Sequence, residues 1–202
     1  MILRIFLMVA AWFSIGAFAQ ARLGETCGTI EARFSPAIRK LPFSLERKRF
    51  DRRAYFQRGW VIVVTYWRGR SVHEQYFRIA DSLRRDAVRE WFAVDDSFFE
   101  RPSTLSFLRV LGRHSEGLSR EQIRTILQAN AEGQEWGQAR HGSIAFARAD
   151  GSAYARYLRR SDDGESLVVV DAGFDRWLGS ALAGSDSADA EARIKTERTV
   201  TF

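Results

Sequence analysis

One cysteine, three histidines and no recognisable catalytic signature are spread through 202 residues. A chain whose only cysteine is Cys27 cannot close an internal disulfide in any compartment. Cys27 therefore reads as a buried or half-buried small residue, since no base is marked for it as a nucleophile. His73, His114 and His141 are too scattered to give metal-ligand spacing with it. His73-Glu74 opens like a zinc-protease motif, but position 77 is Phe, and neighbours on a strand point to opposite faces, so the two read as a strand-surface pair. Asp162-Asp163-Gly164-Glu165 lacks the spaced ligands of a calcium loop. No phosphate loop, nucleophile elbow or Gly-rich dinucleotide turn is present. The sequence thus nominates no catalytic residue, no cofactor and no metal.

A long membrane-spanning run is also missing. The apolar stretch from Ile5 to about Ala19 follows one basic residue, Arg4, and ends in Ala17-Phe18-Ala19. Fifteen helical residues reach ~22 Å, short of the ~30 Å hydrocarbon core, so residues 1–19 read as a secretory signal peptide. Cleavage is expected after Ala19, with Ala21 as a second site. Cys27 follows Gly24-Glu25-Thr26 rather than the small apolar box that lipidation needs. The expectation is an exported protein, periplasmic or secreted, with no transmembrane segment after cleavage. Residues 20–202 suffice for one sizeable domain without staples.

What the chain has in abundance is β-branched and aromatic residues between Tyr55 and Ile79. Trp60 to Trp67 is an unbroken apolar run set between Gln57-Arg58-Gly59 and Arg68-Gly69-Arg70, which marks the central strand of a three-stranded meander. Trp60, Ile62, Val64 and Tyr66 fall on one face and Val61, Val63, Thr65 and Trp67 on the other, so both faces are to be covered. A second meander is expected over Ser143 to Ala149, Ser152 to Arg159 and Ser166 to Ala172, with Asp150-Gly151 supplying the residue types of a type I′ turn.

Helices are expected over Glu25 to Phe34, Ser82 to Phe92, around Leu105, Leu108 and Leu111 up to Gly112, and Ser119 to Ala129. The last has the capping box Ser119-x-x-Gln122, with Leu118 placed to staple against Ile123. Residues 37–53 read as a loop, and 179–202, rich in Gly, Ser, Ala and Asp, as a mobile tail.

Both halves run helix, link, meander. The fold class expected is α+β: two helix-plus-three-stranded-meander units in one largely antiparallel sheet, their helices on one face. The units would cover about 23–79 and 116–172, with 80–115 as a helical insertion, in a single domain 23–178. Leu23-Gly24-Glu25-Thr26, the following Pro36, and an apolar strand answered by Arg68-Gly69-Arg70 and another strand resemble the SmpA/OmlA outer-membrane assembly lipoproteins and the tandem β-lactamase-inhibitory proteins. The likeness spans roughly Leu23 to Ala172, and uncharacterised exported bacterial proteins are more similar still. The lipid-attachment cysteine of the first group and the disulfides of the second are lacking, and no functional residue carries over.

Two surface features remain. Arg47, Lys48, Arg49, Arg52 and Arg53 are five cations within seven residues, a candidate contact for an anionic partner: anionic lipid, an acidic envelope polymer or an envelope protein. Export makes nucleic acid an unexpected partner. Trp136 and Trp177, near segment ends, are candidate exposed aromatic contacts. The net charge of +6 suits anionic partners and says nothing of fold. A non-catalytic binding or envelope-accessory module is the function these features favour. The alternatives are an exported hydrolase assembled from distant segments and a secreted inhibitor of an envelope enzyme.

Overall fold

The computed structural model describes residues 21–41, 43–45, 48–90, 104–139, 145–160 and 164–180. The expected signal segment, His141, Arg47 and all of the expected tail, 179–202, except Gly179 and Ser180 lie outside them, and those two residues are helical. In chain order the elements are α1 (Cys27–Phe34), β1 (Arg39–Lys40), β2 (Phe43–Leu45), β3 (Lys48–Gln57), β4 (Trp60–Trp67), β5 (Arg70–Ile79), α2 (Arg85–Glu90) and α3 (Thr104–Arg113). There follow β6 (Ser115–Glu116), α4 (Arg120–Ala129), β7 (Trp136–Gln138), β8 (Ala145–Arg148), β9 (Ala153–Arg160) and β10 (Gly164–Asp171). A last helix, α5, occupies 172–180.

The fold is α+β, built on one antiparallel sheet of order β1-β3-β4-β5-β10-β9-β8-β7, with β2 paired to β3 and β6 to β5. Two meanders, β3-β4-β5 and β8-β9-β10, meet where their third strands pair, with Tyr76 opposite Leu167 and His73 opposite Val170. Both turns of the first meander put an arginine and a glycine at positive φ, Arg58 (44°) with Gly59 (76°) and Arg68 (52°) with Gly69 (77°). Positive φ at both central residues is the type I′ pattern, whose twist matches that of paired strands.

The central strand behaves as its alternation predicts. Trp60, Ile62, Val64 and Tyr66 join a core with Ile30 and Phe34 of α1 and Ile126 and Leu127 of α4. Val61 and Val63 join a second core with Val88 of α2 and Leu111 of α3. A third, smaller cluster gathers Phe50, Val72 and Val170 with Phe174 of α5. The helices preceding the two meanders thus share one face of the sheet, and α2, α3 and α5 cover the other.

Several expectations are corrected. Residues 39–53 are not a loop: three strands occupy most of that stretch, β3 beginning at Lys48. Charged side chains did not prevent this, because alternation lets a strand bury Phe50, Ala54 and Tyr55 while carrying arginines between them. The first helix starts at Cys27 with Thr26 as N-cap, leaving Glu25 outside its first turn. The expected type I′ turn at Asp150-Gly151 does not form: only Gly151 takes positive φ, 68°, while the Asp150 carboxylate accepts from the Ser152 backbone N–H at 3.0 Å. That side-chain bond offers the chain another way round the corner. The α3 helix continues through Gly112 to Arg113, and α2 begins at Arg85, three residues later than expected. Strand β7, at the sheet's far edge, has no counterpart in the sequence reading.

The capping box of α4 forms as read: Ser119 Oγ accepts from Gln122 N–H, and Gln122 Oε1 accepts from Ser119 N–H.

Candidate functional site

Three adjacent strands set the shape of the site. On the second face of the sheet, β5 presents His73, Gln75 and Phe77, β10 presents Val170, Val168 and Ser166, and β9 presents Tyr154, Arg156 and Leu158. The central strand carries the small side chains and its neighbours the long ones, so the three make a trough running along β10. Each strand step is about 4.8 Å, which separates the Cα atoms of the two walls by roughly 10 Å. Leu108 of α3 and Asp175 and Leu178 of α5 border the same space, a cavity of about 380 Å³. Such a volume is at the lower end of small-ligand sites.

His73 reaches this space through a β-bulge. The pairing of β4 with β5 runs Thr65 to His73 and then Tyr66 to Ser71, so Val72 has no counterpart. Val72 enters the cluster around Phe174, while His73, the next residue, lines the cavity. A bulge is a local means of re-aiming a side chain next to a site.

Gln75 Nε2 donates to Ser166 Oγ at 3.0 Å. His73 Nδ1 and the Tyr154 hydroxyl are buried without a hydrogen-bond partner among the described residues. They belong to one cross-strand row, since His73 and Tyr154 both face Val170. Burial, and then the charge of Arg52, pushes the His73 imidazole down to about 3, so it is neutral at physiological pH. Arg52 lies in the same row, with Nε donating to Thr65 Oγ1 at 2.9 Å, and burial lowers its own pKa to about 10. The Arg156 guanidinium sits 5.0 Å from the Tyr154 ring centroid. Burial raises the Asp175 carboxyl.

A different polar network lies in the core on the opposite face. Glu74 is fully buried, its Oε1 has no partner among the described residues, and its Oε2 is 2.6 Å from the Tyr76 hydroxyl. That hydroxyl is also 2.9 Å from the Ala21 carbonyl oxygen and accepts from Asn130 Nδ2 at 3.4 Å. One phenolic proton cannot serve two acceptors. A protonated Glu74 resolves this by donating to Tyr76, which then donates to Ala21, in keeping with the rise of the Glu74 carboxyl to about 7 on burial. His73 and Glu74 do point to opposite faces, but neither is a surface group, because both faces are covered.

The sequence-nominated residues fall elsewhere. Of the five cations, Lys48 is exposed with Nζ 4.7 Å over the Trp177 ring, and Arg52 is half-buried beside His73. Arg53 is held by Asp51 at 2.7 Å and Glu31 at 2.8 Å. Adjacent positions on β3 send Arg52 and Arg53 to opposite faces, so these two are not brought together. Arg49 is on β3, and Arg47 is outside the described residues. Trp136 and Trp177 are half-buried rather than exposed: Trp136 packs against the first core, and Trp177 stacks on Trp67 with ring centroids 5.6 Å apart. Cys27 is half-buried, its Sγ 3.6 Å from the Tyr55 hydroxyl. Among the described residues no group of three His, Cys, Asp or Glu is placed to hold a metal ion, and no helix is long and apolar enough to cross a membrane.

Sequence reasoning missed His73, Tyr154, Arg156 and Asp175 as neighbours. The one signal available was the size pattern, small Ser166, Val168 and Val170 against long residues on two other strands, and it becomes visible only once β5 is known to pair with β10.

No protein-family model matches the chain, and no curated protein matches it. Among solved structures it is similar to a cysteine-rich secretory protein from Staphylococcus aureus subsp. aureus Mu50, at 10% identity and a TM-score of 0.35. The match covers 75% of this chain and 44% of that one, so the chain spans less than half the length of that neighbour.

Proposed function

We propose that this is an exported, non-catalytic binding protein, made of two copies of a helix-plus-meander unit, that holds a small ligand in the trough between β5, β10 and β9. The observation that carries this reading is the cavity of about 380 Å³ bordered by two residues with unused buried polar atoms, His73 and Tyr154. A buried polar group without a partner costs roughly 1–3 kcal/mol, and a ligand that supplies the partner recovers it. Binding is favoured over hydrolysis because burial pushes the His73 imidazole down to about 3, which makes it a weak base, and no carboxylate among the described residues is bonded to Nδ1 to orient it. The apolar run at residues 5–19 supports export.

The test is native mass spectrometry of the protein purified from the envelope fraction of its own source, beside a Val168→Phe variant. Val168 is in the floor of the trough, so phenylalanine there fills the space a ligand needs. A small molecule retained by the wild type and absent from a folded Val168→Phe protein is the expected result. Equal retention by both would place the ligand elsewhere, and release of a chemically altered ligand would favour the hydrolase.

A further inference from the structure

Resting on the binding reading above, we propose that the ligand is a small organic acid, its carboxylate held between the Tyr154 hydroxyl, the His73 ring and the Arg156 guanidinium, its apolar body lying over Val168.

The polar end of the cavity offers mainly donors. A tyrosine hydroxyl has one proton to give, and a neutral imidazole has one N–H, whose position is set by the hydrogen bonds it makes. Both residues flank Val170, one from β5 and one from β9. A carboxylate spanning the trough at that level has two oxygens and one acceptor requirement on each side. Arg156 is one position further along β9 on the same face, and its register partner is Val168. Arg52 adds positive charge on the β5 side, close enough to be felt at His73. One guanidinium group, that of Arg156, and two uncharged donors thus border a space whose remaining walls include Phe77, Leu108, Leu158 and Leu178, with the Arg52 charge acting on it from beyond the lining. This combination of one cationic, donor-rich end and an apolar body selects an amphipathic acid.

Among the described residues lining the cavity, Asp175 is the only carboxylate. Its burial already favours the uncharged form, and a bound carboxylate nearby would favour it further. An amine ligand would instead draw on Asp175 and would leave the Tyr154 and His73 donors facing a cation. The two classes are therefore separable.

The experiment uses three probes with one body: hexanoate, 1-hexanol and hexylamine, titrated into the purified protein with two-dimensional amide NMR as the readout. Hexanoate should bind at least tenfold more tightly than either of the others. Tyr154→Phe and His73→Phe, which keep a ring at each position, should each weaken hexanoate by about tenfold or more, as expected for a lost hydrogen bond to a charged group. Binding of 1-hexanol should be unchanged in Tyr154→Phe, and Asp175→Asn should tighten hexanoate.

Equal binding of hexanoate and 1-hexanol would overturn the acid while leaving the cavity as a binding site. Hexylamine binding most tightly, and losing that advantage in Asp175→Asn, would overturn it in favour of a cation. No perturbation of β5, β9 or β10 amides by any probe would sink the cavity reading itself.

Discussion

Glu74 and His73 are chain neighbours whose pKa values are displaced in opposite directions by the same cause, burial. Glu74 rises from 4.5 to about 7, so between those values the folded chain keeps a proton that the unfolded chain releases. Its contribution is complete below about 4.5 and is lost as pH rises toward 7. His73 falls from 6.5 to about 3, so its contribution is complete above 6.5 and is lost as pH falls toward 3. From 4.5 to 6.5 the two slopes oppose. Glu74→Gln should therefore make stability rise more steeply with pH in that window, and His73→Phe should make it fall as pH rises. Each change is on the order of 3 kcal/mol at most across that shared window. Urea denaturation at half-unit steps from pH 4.5 to 7.5 measures both, and identical profiles for wild type and variants would show that neither group titrates as its surroundings dictate.

The two Arg-Gly turns of the first meander share backbone geometry but not surroundings. At Gly69 an added Cβ would meet nothing, whereas at Gly59 it would come within 3.0 Å of the Ile79 carbonyl oxygen and would also strike the side chains of Arg78 and Asp81. Arg78 Nη1 donates to the Gly59 carbonyl at 2.7 Å and to the Ile79 carbonyl at 2.9 Å, so this turn is tied to the end of β5. Gly69→Ala should cost about 1 kcal/mol from positive φ alone. Gly59→Ala should cost about 2 kcal/mol or more, because the end of β5 must also move. Chemical denaturation of the two variants checks the ordering. Equal costs would mean that the Arg78 contacts do not constrain the turn.

Over the whole molecule, α5 joins what the sequence order keeps apart. It follows β10 directly, yet Phe174 and Trp177 pack on Phe50 of β3 and Trp67 of β4, with ring centroids 5.4–5.9 Å apart. The second meander is thereby bound to the first through the sheet junction and through this aromatic cluster. Trp177→Ala should destabilise the protein by about 2–3 kcal/mol. Because the cluster bridges both meanders, near-ultraviolet and far-ultraviolet circular dichroism should still report one coincident transition. Two separated transitions in the variant would show that the halves fold independently.

Period and turn chemistry determined the first meander, the capping box of α4, the helical stripes and the two-faced burial of β4, since all of these act within a few residues. Residues 39–53 were misread because charge run and strand are compatible when alternate side chains are buried, and the buried partners are supplied by β4 and α5 across the fold. Pairing of β5 with β10 was foreseeable only as an edge-to-edge join. Its register depends on contacts between residues nearly a hundred positions apart, such as His73 and Val170. The candidate site is decided at that level. His73, Tyr154 and Asp175 come from three elements without a shared motif, and only the register that sets both His73 and Tyr154 against Val170 brings those two side chains into the lining of one cavity.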